Sequence, residues 1–155
     1  MIFIPGNVPS LKNSKVKTTR GIFASSSVTK YLRALGIQTF SSRKKTVKGY
    51  VDKLRPNKIE TFRQDIIDMS VGKDNPLFIG FHQVRSSKRK FDFGNSIELI
   101  QDLFTAHDFI EDDNVEFMFP VPMTQDGRLP TTDNLRNEQW YSVDKENPGV
   151  FIKIF

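Results

Sequence analysis

Residues 76–123 read PLFIGFHQVRSSKRKFDFGNSIELIQDLFTAHDFIEDDNVEFMFPVPM, and the apolar pattern changes period twice along them. PLFIGFHQV, 76–84, carries Phe78, Ile79 and Phe81 too densely for alternation. A short apolar run of that kind predicts a strand buried on both sides. His82 inside it is expected to be a hydrogen-bonded structural histidine. From residue 96 the pattern becomes helical. Asn95 and Glu98 have capping-box spacing, which predicts a helix starting at Ser96. Ile97, Leu99, Ile100, Leu103, Phe104 and Ala106 then fall on one half of the helix, and Glu98, Gln101, Asp102 and Thr105 on the other. The helix is expected to end near His107 and Asp108, with His107 packed or capping carbonyls at that end. VEFMFPVPM, 115–123, reads as a second strand. Pro120 cannot donate to a ladder, so this strand belongs near an edge or an end.

Outside that stretch, MIFIPG predicts a short strand stopped by Pro5 and Gly6. Residues 7–21 read as a polar loop with spaced lysines. SSVTKYLRALG predicts a short helix with a Ser/Thr start and Gly36 at its stop. Residues 38–55 are basic and without period, as a disordered or DNA-ordered loop would be. NKIETFRQDIIDM predicts a helix capped through Asn57 and Glu60, with Ile59, Phe62, Ile66 and Met69 on its core face. Residues 124–147 are rich in turn formers and read as a long loop. GVFIKIF closes the chain as a strand, with Val150, Ile152 and Ile154 opposite Phe151, Lys153 and Phe155. Strands mixed with helices predict an α/β or α+β domain, and 155 residues suit one domain.

Composition narrows the function classes. The absence of Cys removes disulfides, thiolate metal sites and a cysteine nucleophile. The start lacks the basic and long apolar regions of a signal peptide, and no run approaches the length of a membrane span. A cytoplasmic location without a membrane partner is expected. Net charge is +5, but residues 1–53 carry eleven Lys/Arg and one acid, Asp52. Residues 92–116 carry eight Asp/Glu and no Lys/Arg, which leaves 23 bases against ten acids elsewhere. A basic body with one acidic island suits a polyanion binder that reserves carboxylates for a separate task. A solvated basic surface with an acidic loop explains the same distribution.

Asp92 stands just before the helix, and Asp112 and Asp113 stand where the chain turns back to the next strand. If the return brings them together, the like charges call for a cation between them. Mg²⁺ takes oxygen ligands and needs only one to three carboxylates. Bound there, it polarises a phosphoryl oxygen and activates water. Lys88, Arg89 and Lys90 would hold phosphates over it. The plainer readings are a solvated acidic turn for EDDN and a helix cap for Glu98.

FDFGNSIELIQDLFTAHDFIEDDNVEF resembles the signature of the RusA-like Holliday junction resolvases, roughly D-x-D-N-x-x-K, a helix with an internal Asp-x-Leu, then paired Asp. Asp92, Asn95, Asp102-Leu103 and Asp112-Asp113 fall on that pattern without a gap. GNVPSLKNSK is similar to the family's early loop, and VDKENPGVFIKI to the closing strand of phage-type members. The family's second Asp falls on Gly94 and its Lys on Glu98. The resemblance implies a small mixed β-sheet flanked by helices. It implies a homodimeric endonuclease dependent on Mg²⁺, with Mn²⁺ as a substitute, that resolves four-way DNA junctions by paired nicks. Asp92, Asp113 and Asp112 would be catalytic, with Asp92, Asp113 and Glu98 holding the metal. Lys12, Asn13, Lys15, Lys88, Arg89 and Lys90 would meet DNA. Two other readings stay open: a branched-DNA-binding protein that does not cut, for which Gly94 and Glu98 speak, and a basic protein whose partner is RNA or another protein.

Overall fold

The computed structural model describes residues 1–10, 15–18, 21–34, 64–66, 68–69, 71–106, 109–131 and 139–155. Among the described residues the elements lie in the order β1 (Ile2–Pro5), β2 (Lys15–Thr18), β3 (Gly21–Ala24), α1 (Ser26–Ala34), β4 (Leu77–Arg85), α2 (Phe93–Ala106), β5 (Met118–Pro122), β6 (Tyr141–Val143) and β7 (Gly149–Ile154). Residues 64–66 add a piece of helix. The expected α+β architecture with a mixed sheet holds. Sheet order is β1-β7-β4-β5, with β6 also on β4. β7 pairs antiparallel with β1 and β4, whereas β5 and β6 pair parallel with β4. Strand β5 covers the first half of β4 (Leu77 opposite Met118) and β6 the last part (Arg85 opposite Val143).

β4 is the buried central strand that its density predicted. Leu77, Ile79, Phe81 and Gln83 look to the helix side, where Ile4, Val150 and Ile152 join Val28, Tyr31 and Leu32 of α1 and Ile97, Ile100, Leu103 and Phe104 of α2 in one core. Burying each of these large side chains contributes about 1.5–3 kcal/mol. Ile66 belongs to this core and Met69 packs on it, as expected. Ile59, Phe62, Asn57, Glu60, Gly36, His107, Asp108 and residues 38–55 lie outside the described residues. The other face of the sheet is aromatic: Phe3 packs on Phe151 at 4.6 Å between centroids, and Phe78 stacks on Phe119 at 5.9 Å. Among the described residues no helix is long and apolar enough to cross a membrane.

Three expectations are corrected. The lysine-spaced polar loop contains a hairpin, β2 against β3 in antiparallel register with Lys15 opposite Ala24. The loop of 124–147 contains β6, three residues too short to show a period. Helix α2 starts at Phe93, one turn before the predicted Ser96. Its cap is Asp92, whose Oδ1 accepts the Asn95 N–H at 3.2 Å while its carbonyl accepts the Ser96 N–H at 3.1 Å. Phe93 explains the difference. It packs against the core in line with Ile97, Ile100 and Phe104, so the apolar stripe gains a turn by starting earlier. Asp and Asn are equally good caps, and burial selects between them.

His82 is structural, as expected. Its Nδ1 lies 3.0 Å from the Met123 carbonyl and its Nε2 lies 3.1 Å from Ser142 Oγ, which ties β4 to β6 and to the end of β5. A carbonyl only accepts, so Nδ1 carries the proton and Nε2 accepts from the serine. Burial lowers the His82 pKa from its usual value, against the raising effects of the Met123 bond and of Asp126. The unfolded chain therefore binds the proton more readily. This stability is complete above the ordinary histidine pKa of about 6.5 and is lost as pH falls through the lower folded value. Urea unfolding between pH 7.5 and 5 should show midpoints that decline with acidity, and His82→Gln should flatten that decline.

Candidate nucleic-acid interface

The site lies where β4 ends and α2 begins. Gln83 and Ser96 are both buried, and Gln83 Nε2 donates to the Ser96 carbonyl at 3.3 Å, which fixes the first turn of α2 over β4. Ser96 Oγ in turn donates to the Phe93 carbonyl at 2.7 Å. The N-terminal segment arrives from two strands away. Gly6 turns the chain at φ +99°, with its amide bonded to the Pro148 carbonyl at 2.7 Å, and a Cβ there would meet the Tyr31 ring at 2.9 Å. Only glycine meets both conditions without strain.

The result is a cleft of about 530 Å³ lined by Asn7, Val8, Pro9 and Ser10 after β1, Ser27 of α1, Arg85, Lys90, Phe91 and Asp92 after β4, and Asn95 and Ser96 of α2. Arg85 and Lys90 are its cations and Asp92 its one carboxylate. Arg85 carries its guanidinium 4.7 Å from the Phe91 ring centroid. Its Nε is buried without a hydrogen-bond partner among the described residues. Burial lowers its pKa from the ordinary arginine value, yet a guanidinium stays charged. Among the described residues the ion pairs are Lys73–Glu116 and Arg128–Asp126, so no carboxylate neutralises Arg85, Lys88, Arg89 or Lys90. Four cations within six residues, without an ion-pair partner among the described residues, make the compact kind of site that phosphates suit.

The candidates named from sequence divide. Lys90, Asp92 and Asn95 meet in the cleft, and Lys88 and Arg89 are exposed in the segment leading to it. Glu98 is half-buried on α2 and does not line the cleft. It does not form the predicted capping box, because the helix begins three residues before Asn95's expected role and Asp92 caps it. Asp112 and Asp113 also stand outside the lining. They precede β5, whose start lies beside the start of β4, whereas Asp92 follows the end of β4. Asp112 Oδ1 accepts the Asp113 and Asn114 N–H groups at 2.7 and 3.3 Å, an Asx turn within the acidic run. Among the described residues no three His, Asp or Glu side chains are grouped to hold a metal ion. Lys12 and Asn13 lie outside the described residues, and Lys15 is described through the backbone of β2 alone.

Arg85 carries no mark in the sequence and Phe91 none as a site residue, whereas Asn7 and Ser10 fall within the GNVPSLKNSK loop. Arg85 closes a strand whose other residues are mostly apolar, and nothing in its spacing distinguishes a site residue from a strand terminus.

The double position of Asp92 separates structure from function. Asp92→Ala should remove the cap and cost about 1 kcal/mol in chemical unfolding, whereas Asp92→Asn should fold with near wild-type stability, since Asn caps as well as Asp.

Compared with protein-family models, curated proteins and solved structures, the chain matches none.

Proposed function

We propose that this protein binds branched DNA through the cleft at the start of α2 and is a Mg²⁺-dependent endonuclease that nicks four-way junctions there. One observation carries this reading. Residues 7–10, from the early loop, and Phe91, Asp92, Asn95 and Ser96, from the start of the central motif, belong to two of the separate segments that resemble the RusA-like resolvases, and they line one cleft with Arg85 and Lys90. Sequence distance gives no reason for that meeting.

The basic segment supplies the binding. Arg85 and Lys88–Arg89–Lys90 attract backbone phosphates, and such contacts select shape rather than base sequence. That suits a four-way junction, where the backbone geometry differs from linear duplex. Asp92 fits a metal recruited together with a phosphate. Among the described residues its second oxygen accepts no hydrogen bond. Mg²⁺ is commonly held through one or two carboxylates, substrate phosphates and waters rather than by a full protein cage. When bound, Mg²⁺ supplies phosphoryl polarisation and a more acidic water. Asp92 orients it, Asn95 shares the helix turn that positions Asp92, and Lys90 holds the neighbouring phosphate. Asp112 and Asp113 precede β5 beside the start of β4 and supply no carboxylate to this cleft, while a second subunit placed so that paired nicks fall symmetrically stays part of the proposal.

A second reading has its own observation. Asp92 serves as a helix cap and is the one carboxylate in the cleft, which suits a protein that holds junctions without cutting them.

A synthetic four-way junction incubated with the protein and Mg²⁺ or Mn²⁺ separates the two. Paired nicks by wild type, absent with Asp92→Asn and kept with Asp113→Asn, are the expected outcome. Retention without product in either metal selects the binding reading, and equal affinity for linear duplex and junction removes both. The triple change of Lys88, Arg89 and Lys90 to Ala should weaken binding and reduce the salt slope, log Kd against log salt, by about 3, near 1 per lost phosphate contact.

A further inference from the structure

The cleft has an aromatic flank that phosphate binding does not use. Phe91, which lines it, meets Tyr141 of β6 edge to face, with centroids 5.2 Å apart and planes at 84°. The register explains the meeting. Tyr141 lies opposite Gln83, whose side chain bonds the first turn of α2, so it points to the side of the sheet that carries the cleft. Ser142 points the other way, to His82. Arg85 holds Phe91 from the guanidinium side at 4.7 Å. Yet Tyr141 remains 41% exposed and Val143 38% exposed, at the end of the sheet where the basic segment emerges.

A large ring costs free energy when left in water, and one held rigid by a neighbour loses little entropy when a partner stacks on it. Its surroundings select the partner. Lys88, Arg89 and Lys90 adjoin Phe91 in sequence without a paired carboxylate among the described residues. An apolar flat surface beside unpaired cations matches a group that is flat and attached to phosphate. Aromatic rings beside a basic groove are the general means of binding unpaired bases. We propose that Tyr141 and Phe91, held by Arg85, form a stacking platform for an unpaired nucleobase whose own backbone phosphate sits against Arg85 and Lys90. This rests on the DNA-binding reading above and adds to it what the cleft recognises at a branch point. A base displaced from the duplex gains a stacking partner, which linear duplex has no base free to use.

The test uses full-length protein and synthetic four-way junctions in EDTA, so that no strand is cut. One junction carries intact nucleotides at the crossover, and the other carries abasic tetrahydrofuran units there. Wild type should bind the intact junction about five- to hundredfold more tightly, the range that one base–aromatic stack supports. Tyr141→Phe should keep that preference. Tyr141→Leu should lose it while leaving the salt slope unchanged, since no phosphate contact is removed. Irradiation of a junction with 5-iodouracil at the crossover should give an adduct on Tyr141 or Phe91. Tight binding of both junctions with equal affinity, or adducts confined to residues away from this pair, overturns the platform and leaves the DNA reading standing. Failure of wild type to bind any junction removes the DNA reading and the platform together.

Discussion

Burial of β4 on both faces is the constraint on which the molecule depends. Its nine residues take hydrogen bonds from β7 along one edge and from β5 and then β6 along the other. The core between sheet and helices uses Leu77, Ile79 and Phe81, whereas the reverse face closes over Gly80 and His82. A Cβ at Gly80 would lie 2.6 Å from the Phe155 ring and 2.8 Å from Met123 Sδ, so the reverse face is packed as closely as the front. A strand paired with three others has little freedom of register, because a one-residue slip would exchange the two faces.

The site follows from how that strand ends. A parallel pair needs a crossover, and here α2 supplies it between β4 and β5. The connection at the end of β4 therefore opens toward the first turn of the helix, the usual location of ligands in parallel sheets. Gln83 sets the helix on the strand through Ser96. The bend at Gly6 carries residues 7–10 across to the same place, Ser27 of α1 joins them, and Tyr141 of β6 meets Phe91 of the lining edge to face. The cleft is thus assembled from separate chain segments around one strand terminus.

Asp92 shows how structural and chemical duties overlap. Its Oδ1 satisfies one of the free amides of the first turn, and a negative charge at that end is favourable to the helix dipole. The same placement sets a carboxylate beside Arg85 and Lys90 in the cleft. Gly94, where the resolvase pattern has its second Asp, is next to it: a Cβ there would lie 3.4 Å from Asp92 Oδ1. A carboxylate at that position would stand beside the first. Its absence leaves two cations and one carboxylate among the described residues of the lining, a balance that suits a phosphate and a metal arriving together.

The elements with a marked apolar pattern can be read from the chain alone. β7 and the apolar face of α2 are legible because each residue's polarity reports its side of the element, β4 because a dense apolar run marks burial on both faces, and His82 is legible as structural because it sits within that run. The charge division and the basic segment before Asp92 were equally plain. Which segments meet follows from how the chain packs. Hairpin β2–β3 and strand β6 are too short for a period to emerge. The cap moved from Asn95 to Asp92 because packing of Phe93 outweighs a local motif. Arg85, Phe91 and Tyr141 gain their meaning from a parallel register between segments 56 residues apart, measured from Arg85 to Tyr141, and no local pattern encodes that pairing.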